Sequence, residues 1–130
     1  MADWDDVARL CLALPGTTEA VSASGRRRWL VRGRTFVRER PLHAKDLAEL
    51  GPAAPQGPVA VVSVPDESAK AALLAAEPDV CFTTSHFDGW AAVLCRLDRV
   101  DGPVLAELVG EAWASRAPRR LVAEHRFPAG

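Results

Sequence analysis

The residues whose types and spacing could perform chemistry lie around Asp88-Gly89, a dipeptide that favours a tight turn because glycine tolerates positive φ. His86 and Asp88 are two residues apart, and hydroxyl side chains precede them at positions 83–85. A histidine oriented by a carboxylate can deprotonate a hydroxyl group, as general-base catalysis requires. The alternative is structural: Asp88 stabilises the turn, and His86 bonds to backbone or to a helix end. We favour the structural interpretation and predict no catalytic residue.

Motifs of other catalytic, metal or cofactor sites do not occur in the sequence. The three histidines are scattered, the three cysteines are far apart, and neither kind of residue has the spacing of metal ligands. The segment 51–57 contains glycine but matches no phosphate-binding loop, and no nucleophile elbow is present. We therefore predict that the protein is not an enzyme and binds no metal ion and no cofactor.

The same segment supports a second hypothesis, in which the protein binds a ligand without transforming it. Trp90 follows the predicted turn, so its indole is expected to be partly exposed beside two other rings. An exposed tryptophan can stack on a nucleobase or on another planar molecule. A protein that sequesters a small planar ligand is thus an alternative function, with the candidate residues His86, Phe87, Asp88 and Trp90.

Arginines are concentrated between residues 26 and 45. This segment has eight basic residues and one acidic residue, a charge of +7, whereas the rest of the chain carries −8. Guanidinium groups suit planar, bidentate recognition of phosphate or carboxylate. One interpretation is that an arginine-bearing hairpin binds DNA, with a two-stranded ribbon along a groove. The interpretation that we favour from the hairpin residues alone is an ordinary polar sheet face with Arg28 opposite Glu39. The candidate residues are Arg26, Arg27, Arg28, Arg32, Arg34, Arg38 and Arg40, with Arg119 and Arg120 from a smaller basic cluster.

Composition is that of a soluble globular protein. Of the 130 residues, 48% are apolar and 25% are charged, so we predict a single domain over residues 1–130. The sequence begins with acidic residues and contains no apolar run long enough to cross a bilayer, which predicts a cytoplasmic protein with no membrane partner. An odd number of cysteines among apolar neighbours predicts buried free thiols at Cys11, Cys81 and Cys95.

Hydrophobic spacing and turn signals predict the order of the elements. Helices are expected after the N-capping residue Asp3, at 44–50, from Asp66 to Ala76 and over 101–116, with a short final element at 119–125. Strands are expected at 18–24, 59–64, 80–84 and 90–97. The clearest hairpin spans 27–40 with a turn at Gly33-Arg34, which places Trp29, Val31 and Phe36 on the core face and Val37 on the other face.

Strands joined by tight turns form antiparallel sheets. The predicted fold class is therefore α+β: one antiparallel sheet of five or six strands with the helices gathered on one face. The helix at 101–116 is expected to pack on the sheet through Leu108 and Trp113.

Several segments together resemble the MmcQ/YjbR family of small bacterial proteins. They are Leu14-Pro15-Gly16, Val31-Arg32-Gly33-Arg34-Thr35-Phe36, Leu73-Leu74-Ala75-Ala76-Glu77-Pro78, His86-Phe87-Asp88-Gly89-Trp90-Ala91-Ala92-Val93-Leu94, Arg96-Leu97-Asp98, Glu111-Ala112-Trp113 and Ala117-Pro118-Arg119-Arg120-Leu121. They cover nearly the whole chain in the family's order. The resemblance implies a CyaY-like fold and a DNA-binding role in which hairpins act as wings. This chain departs from common members at Ser85, Trp90 and Ala91, and in a longer connection over 43–57.

Overall fold

Five α-helices and six β-strands account for most of residues 2–126, the part of the chain that the computed structural model describes. The elements are α1 (Trp4–Leu12), β1 (Thr17–Val21), β2 (Arg27–Val31), β3 (Arg34–Glu39), α2 (Ala44–Leu50), β4 (Val59–Ser63), α3 (Glu67–Ala76), β5 (Cys81–Phe82), β6 (Ala92–Arg96), α4 (Gly102–Arg116) and α5 (Arg119–Arg126). Single turns of 3-10 helix occupy Gly51–Ala53 and Ser85–Phe87. The strands form one antiparallel sheet in the order β1-β2-β3-β4-β6-β5, which confirms the predicted α+β class. One domain over 1–130 extends beyond the described residues and stays a prediction.

Local side-chain caps begin three of the helices, and the sequence predicts two of them, at Asp3 and Asp66. The Asp3 carboxylate accepts the Asp6 N–H at 2.8 Å, and the Asp6 carboxylate accepts the Asp3 N–H at 3.0 Å, which completes a capping box at α1. Asp66 and Asp101 cap α3 and α4 in the same way, each accepting a backbone N–H at 2.8 Å. These carboxylates also lie at the positive end of the helix dipole. Hydrogen bonds between residues three positions apart therefore determine where α1, α3 and α4 begin.

The main core lies between one face of the sheet and the helices α1 and α4. Trp29, Val31 and Phe36 are buried in it, as predicted, at 0%, 0% and 1% exposure. Trp113 of α4 is 1% exposed, and its indole N–H donates to the Pro15 carbonyl at 2.9 Å. An indole buried with its polar atom satisfied contributes a large apolar area at little polar cost. The predicted packing of α4 through its tryptophan is confirmed.

The register of the arginine hairpin differs from the predicted one. The turn residues are Arg32 and Gly33, with φ of +49° and +83°, rather than Gly33-Arg34. A turn with positive φ at both positions matches the right-handed twist of a two-stranded ribbon. A register shift between Trp29 and Leu30 then sends Val37 into the core beside Phe36, where it is 1% exposed. The predicted placement of Val37 on the opposite face is wrong.

The second face of the sheet is also covered, by residues outside the α-helices. Val59, Val61 and Leu94 project from the second face of β4 and β6 and form a smaller apolar cluster with the buried Phe87. The 3-10 turn Ser85–Phe87 covers this cluster, and α2 is bonded to that turn through its Glu49 carboxylate, which accepts from the Ser85 N–H at 2.9 Å. Because the central strands are apolar on both faces, each face needs a cover.

A tight turn forms at Asp88-Gly89 as predicted, and across it the Trp90 N–H donates to the Phe87 carbonyl at 3.0 Å. This turn does not join the two strands directly, because the connection between them is longer than predicted. Phe82 pairs with Leu94, so β5 and β6 are shorter than predicted, and the connecting segment contains the 3-10 turn. Gly89 has the predicted positive φ, +79°. The Ala91 carbonyl accepts from the Val64 N–H, just beyond β4, at 3.0 Å, while the Phe87 and Trp90 carbonyls accept from the Lys70 side chain. The segment around the predicted turn is thus held in part by a side-chain donor.

Candidate functional site

Two arginines of the predicted DNA-binding set are neutralised by carboxylates. Arg27 contacts Glu19 at 3.0 Å and lies over the Trp29 ring at 5.3 Å. The side-chain hydrogen bond from Arg27 holds the pKa of Glu19 below its ordinary value. Arg40 is buried and pairs with the buried Asp46 at 2.9 Å. These two guanidinium groups serve internal packing and contribute little to an external charged surface.

Arg28 and Arg38 lie directly opposite each other across β2 and β3, because the turn at Arg32-Gly33 and the bulge together set the register. The prediction that Arg28 faces Glu39 is therefore wrong. Arg28 is exposed, and Arg38 is half-buried with its guanidinium 5.9 Å from the centre of the Phe87 ring. Neither forms an ion pair with a carboxylate of the described residues. Burial, and then the neighbouring charge of Arg40, lowers the pKa of Arg38.

The remaining candidate arginines lie toward the two ends of the hairpin. Arg26 is exposed just before β2 begins, and Arg32 is exposed in the turn where β2 ends. The Arg32 side chain lies against Gly16, where an added Cβ would be 3.0 Å from its Nε atom and 3.1 Å from Leu121 of α5. The hairpin turn therefore packs near α5. The exposed Arg119 and Arg120 begin that helix, and Arg120 pairs with Glu124 at 3.2 Å.

Arg34 connects the start of β3 to the end of α4. Its side chain is exposed, and its Nη1 donates to the Arg116 carbonyl at 3.1 Å. The nine predicted arginines consequently do not form a continuous ribbon. Two are neutralised, two form a pair on the sheet face, and five lie at the hairpin ends or on α5.

The four residues predicted to bind a planar ligand occupy different depths. Phe87 is fully buried, and its ring packs edge-to-face on His86 at 4.9 Å and on Trp90 at 5.4 Å. His86 and Asp88 are exposed, and Trp90 is 49% exposed. Phe87 therefore supports the cluster from below, while His86 and Trp90 present ring surface to solvent.

Two cations that the sequence analysis did not select hold the segment that carries Trp90. Lys70 of α3 is 5% exposed and donates from Nζ to the Phe87 and Trp90 carbonyls at 2.7 and 2.9 Å. Arg116 donates to the Ala91 carbonyl at 3.1 Å. Lys70 could have been suspected from sequence, since it is the one cation within α3 and lies three residues before Leu73, which packs on the core. Arg116 had no such signal beyond its place in a basic cluster.

A cleft of about 280 Å³ lies where β3 begins, β4 ends and β6 begins. Arg38, Arg116 and Trp90 line it, with hydroxyl groups from Thr35 and Ser63. None of its lining residues is acidic. The cleft thus combines one arginine of the predicted DNA-binding set with the tryptophan of the predicted ligand site.

The thiols are poorly suited to nucleophilic chemistry. Burial raises the pKa of Cys11 and of Cys95 to about 12, and that of Cys81 to about 11. The thiolate is the reactive form, so at neutral pH these side chains are almost entirely unreactive thiols. Across residues 2–126, no three histidine, cysteine or acidic side chains come close enough together to hold a metal ion. None of the helices in that range is both long and apolar enough to span a bilayer.

The family comparison decides the identity of the chain. A family model for YjbR matches residues 12–115. The chain belongs to the YjbR family. It is 45% identical over 125 residues to the uncharacterized protein Mb2600 of Mycobacterium bovis, and equally to the uncharacterized protein Rv2570 of Mycobacterium tuberculosis. Each of these alignments covers 94% of this chain and 94% of the relative.

A crystal structure shows the same fold as this YjbR-family chain. The Deinococcus radiodurans protein DR2400, which contains a DUF419 domain, superposes with a TM-score of 0.63 at 20% identity, over 98% of this chain and 83% of that protein. At this identity the likeness concerns the fold alone. DNA binding and the CyaY-like classification stay predictions, as do the absence of enzymatic activity and the cytoplasmic location.

Proposed function

We propose that this YjbR-family protein is a noncatalytic DNA-binding protein that holds the phosphate backbone on the open face of β1, β2 and β3. The observation that carries the proposal is the cross-strand pair of Arg28 and Arg38. Like charges directly opposite each other destabilise an antiparallel pair. No carboxylate of residues 2–126 pairs with either group. A phosphate bound between the two guanidinium groups would remove this repulsion and form charge-assisted hydrogen bonds with both.

The extent of the hairpin supports a polyanion as the partner. Arg26 precedes β2 and Arg32 follows it, so about 20 Å separates their backbones at the rise of a β-strand. That length corresponds to about six steps along one DNA strand. Residues 26–45 carry a charge of +7, and the rest of the chain carries −8. This charge distribution favours the orientation in which the hairpin faces the phosphate backbone.

A second candidate function is the sequestration of a small planar ligand beside Trp90. This indole is 49% exposed, while its backbone carbonyl is held by the buried amine of Lys70. An aromatic surface that is both accessible and fixed costs little conformational entropy to use in binding. The adjoining cleft of about 280 Å³ is close to the lower end of the size range of ligand pockets.

The test of DNA binding uses charge reversal at Arg28 and Arg32, which are exposed and unpaired within the described residues. Binding of a labelled DNA duplex is measured by fluorescence anisotropy at about 50 and about 200 mM salt. Arg28→Glu with Arg32→Glu should weaken binding and reduce the slope of log K against log salt by roughly one unit per lost contact.

The matched control is Lys45→Glu with Arg99→Glu, which makes the same change in net charge at two exposed sites outside the hairpin. If the control lowers the slope as much as the hairpin variant, the binding reflects net charge alone. Absence of binding by the native protein at low salt would overturn the proposal.

A further inference from the structure

The cleft beside Trp90 contains two cations without an anion. Arg38 enters it from β3, and Arg116 enters it from the last turn of α4. Neither forms an ion pair with any carboxylate of residues 2–126. Charged groups normally become buried only when they are paired, because desolvation opposes the charged form. Two partly buried, unpaired guanidinium groups in one concave site therefore favour the entry of an anion.

The other charged groups nearby add to the positive potential. Burial, and then the like charge of Arg40, lowers the pKa of Arg38. Burial, and then the like charge of Arg34, lowers the pKa of Arg116. Arg40 is compensated by Asp46, but Arg34 has no ion pair among the described residues. The Lys70 ammonium lies behind the same segment, bonded only to carbonyls. Two cations thus line the cleft, and the ammonium of Lys70 bonds to the carbonyl of Trp90, one of its lining residues.

The rest of the lining suits a flat apolar body. The half-exposed indole of Trp90 forms one wall, and the side chains of Ala92 and Val61 lie on the sheet surface of the cleft. Thr35 and Ser63 add hydroxyl groups that donate or accept hydrogen bonds. A volume of about 280 Å³ matches one or two fused rings better than a longer molecule.

We infer that this cleft binds a small planar anion, an aromatic carboxylate or an aryl phosphate, with its charged group against Arg38 and Arg116 and its ring against Trp90. The inference rests on the second candidate function and names its ligand class. It also moves the site from the four predicted ligand residues toward Arg38 and Arg116. Guanidinium groups bind both carboxylate and phosphate through paired N–H donors, so the charge and planarity of the ligand are the shared features.

The test compares an anion with its neutral isostere. 2-Naphthoate, 2-naphthamide and phenyl phosphate are titrated into the ¹⁵N-labelled protein, and the indole N–H signals are followed by NMR, with the Trp90 signal assigned from Trp90→Phe. We expect 2-naphthoate to shift the Trp90 signal with a Kd of ~1 mM or tighter, which is the scale for a ligand of this size. The amide should bind at least about tenfold more weakly. Comparing the Kd of phenyl phosphate with that of 2-naphthoate shows whether the site prefers a phosphate or a carboxylate.

Variants then locate the charged contact. Arg38→Gln and Arg116→Gln should each weaken naphthoate binding by at least about tenfold, and Arg116→Lys should retain part of it. Arg116 also bonds to the Ala91 carbonyl, so Arg38→Gln provides a second variant that leaves that bond in place. Arg99→Gln, at an exposed arginine outside the cleft, is the matched control and should bind like the native protein.

The outcomes separate the two proposals. Equal binding of naphthoate and naphthamide with a Trp90 shift overturns the preference for an anion and leaves the planar-ligand function standing. Failure of all three probes to shift the Trp90 signal overturns both. Naphthoate binding that is unaffected in both arginine variants places the anion elsewhere and overturns the assignment to this cleft.

Discussion

The ammonium group of Lys70 donates a hydrogen bond of 2.9 Å to the carbonyl oxygen of Trp90, so a buried cation fixes the backbone of an exposed indole. A second bond from the same group, of 2.7 Å, reaches the Phe87 carbonyl. A helix on one side of the sheet thereby controls the segment that lines the cleft. The pairing explains why a lysine that is only 5% exposed lies in α3 without a carboxylate partner among the described residues.

Replacing Lys70 with methionine should therefore destabilise the protein. The substitution keeps most of the apolar stem but removes one donor from the Phe87 carbonyl and one from the Trp90 carbonyl, which costs about 1–3 kcal/mol in unfolding free energy. Urea unfolding followed by circular dichroism measures the loss. Lys45→Met, at the exposed lysine of α2, is the matched control and should stay within about 0.5 kcal/mol of the native value. Equal stability of the two variants would contradict the role of Lys70.

The buried ion pair of Arg40 and Asp46 should be far more sensitive than a surface pair. Asp46→Ala leaves the Arg40 guanidinium buried without its partner, and breaking such a pair costs about 3–5 kcal/mol. Glu124→Ala removes the partner of the exposed Arg120 and should cost less than about 1 kcal/mol. Chemical unfolding of both variants at neutral pH compares them. Similar losses would show that the Asp46 carboxylate is not the compensating charge.

The stability contribution of Asp46 should also depend on pH. Burial alone would raise the pKa of this carboxyl, but the His43 N–H and the Arg40 guanidinium hold the pKa below its ordinary value of 3.8. A group with a lowered folded pKa stabilises the protein above its unfolded pKa and loses that contribution as pH falls through the folded pKa. The difference in unfolding free energy between native protein and Asp46→Ala should be constant from about pH 7 to about pH 5 and shrink below about pH 4. A difference that grows on acidification would reverse the predicted sign.

Replacing Trp113 or Trp90 with alanine should distinguish a buried tryptophan from an exposed one by the loss in unfolding free energy. Trp113→Ala removes a ring that is 1% exposed and leaves the Pro15 carbonyl without its donor, so we expect a loss of about 3–5 kcal/mol. Trp90→Ala removes a half-exposed ring and should cost less than about 2 kcal/mol. Denaturant unfolding of both variants gives the comparison. A loss below about 1 kcal/mol for Trp113→Ala would contradict the packing of α4 on the sheet.

The three cysteines should react slowly with a thiol reagent in the native protein. All are buried, and their raised pKa values of about 11 to about 12 keep the thiolate fraction very small at neutral pH. Labelling followed by mass spectrometry should show three reactive thiols only after addition of denaturant. Rapid labelling of any of them without denaturant would be inconsistent with this packing.

The sequence was sufficient for features that arise from neighbouring residues. Asp3 and Asp66 cap helices through bonds to N–H groups three residues away, so their effect is readable from local spacing. The burial of Trp113 follows from helical periodicity, and the antiparallel α+β class follows from strands separated by turn residues. The YjbR family was recognisable from segments that run along nearly the whole chain.

Which groups lie next to the arginines was decided only by the tertiary structure. The hairpin turn lies one residue earlier than predicted, and together with the one-residue bulge this changed the partner of Arg28 from Glu39 to Arg38. A shift of register exchanges neighbours across a ribbon without any change in composition. The cleft joins Arg38 with Trp90 and Arg116, three residues far apart in the chain. Local spacing carries no information on such a juxtaposition, since it depends on how α4 and the segment around Trp90 pack against the sheet. The residue types were visible in the sequence, whereas their convergence into one positively charged, aromatic-walled site is a property of the packed chain.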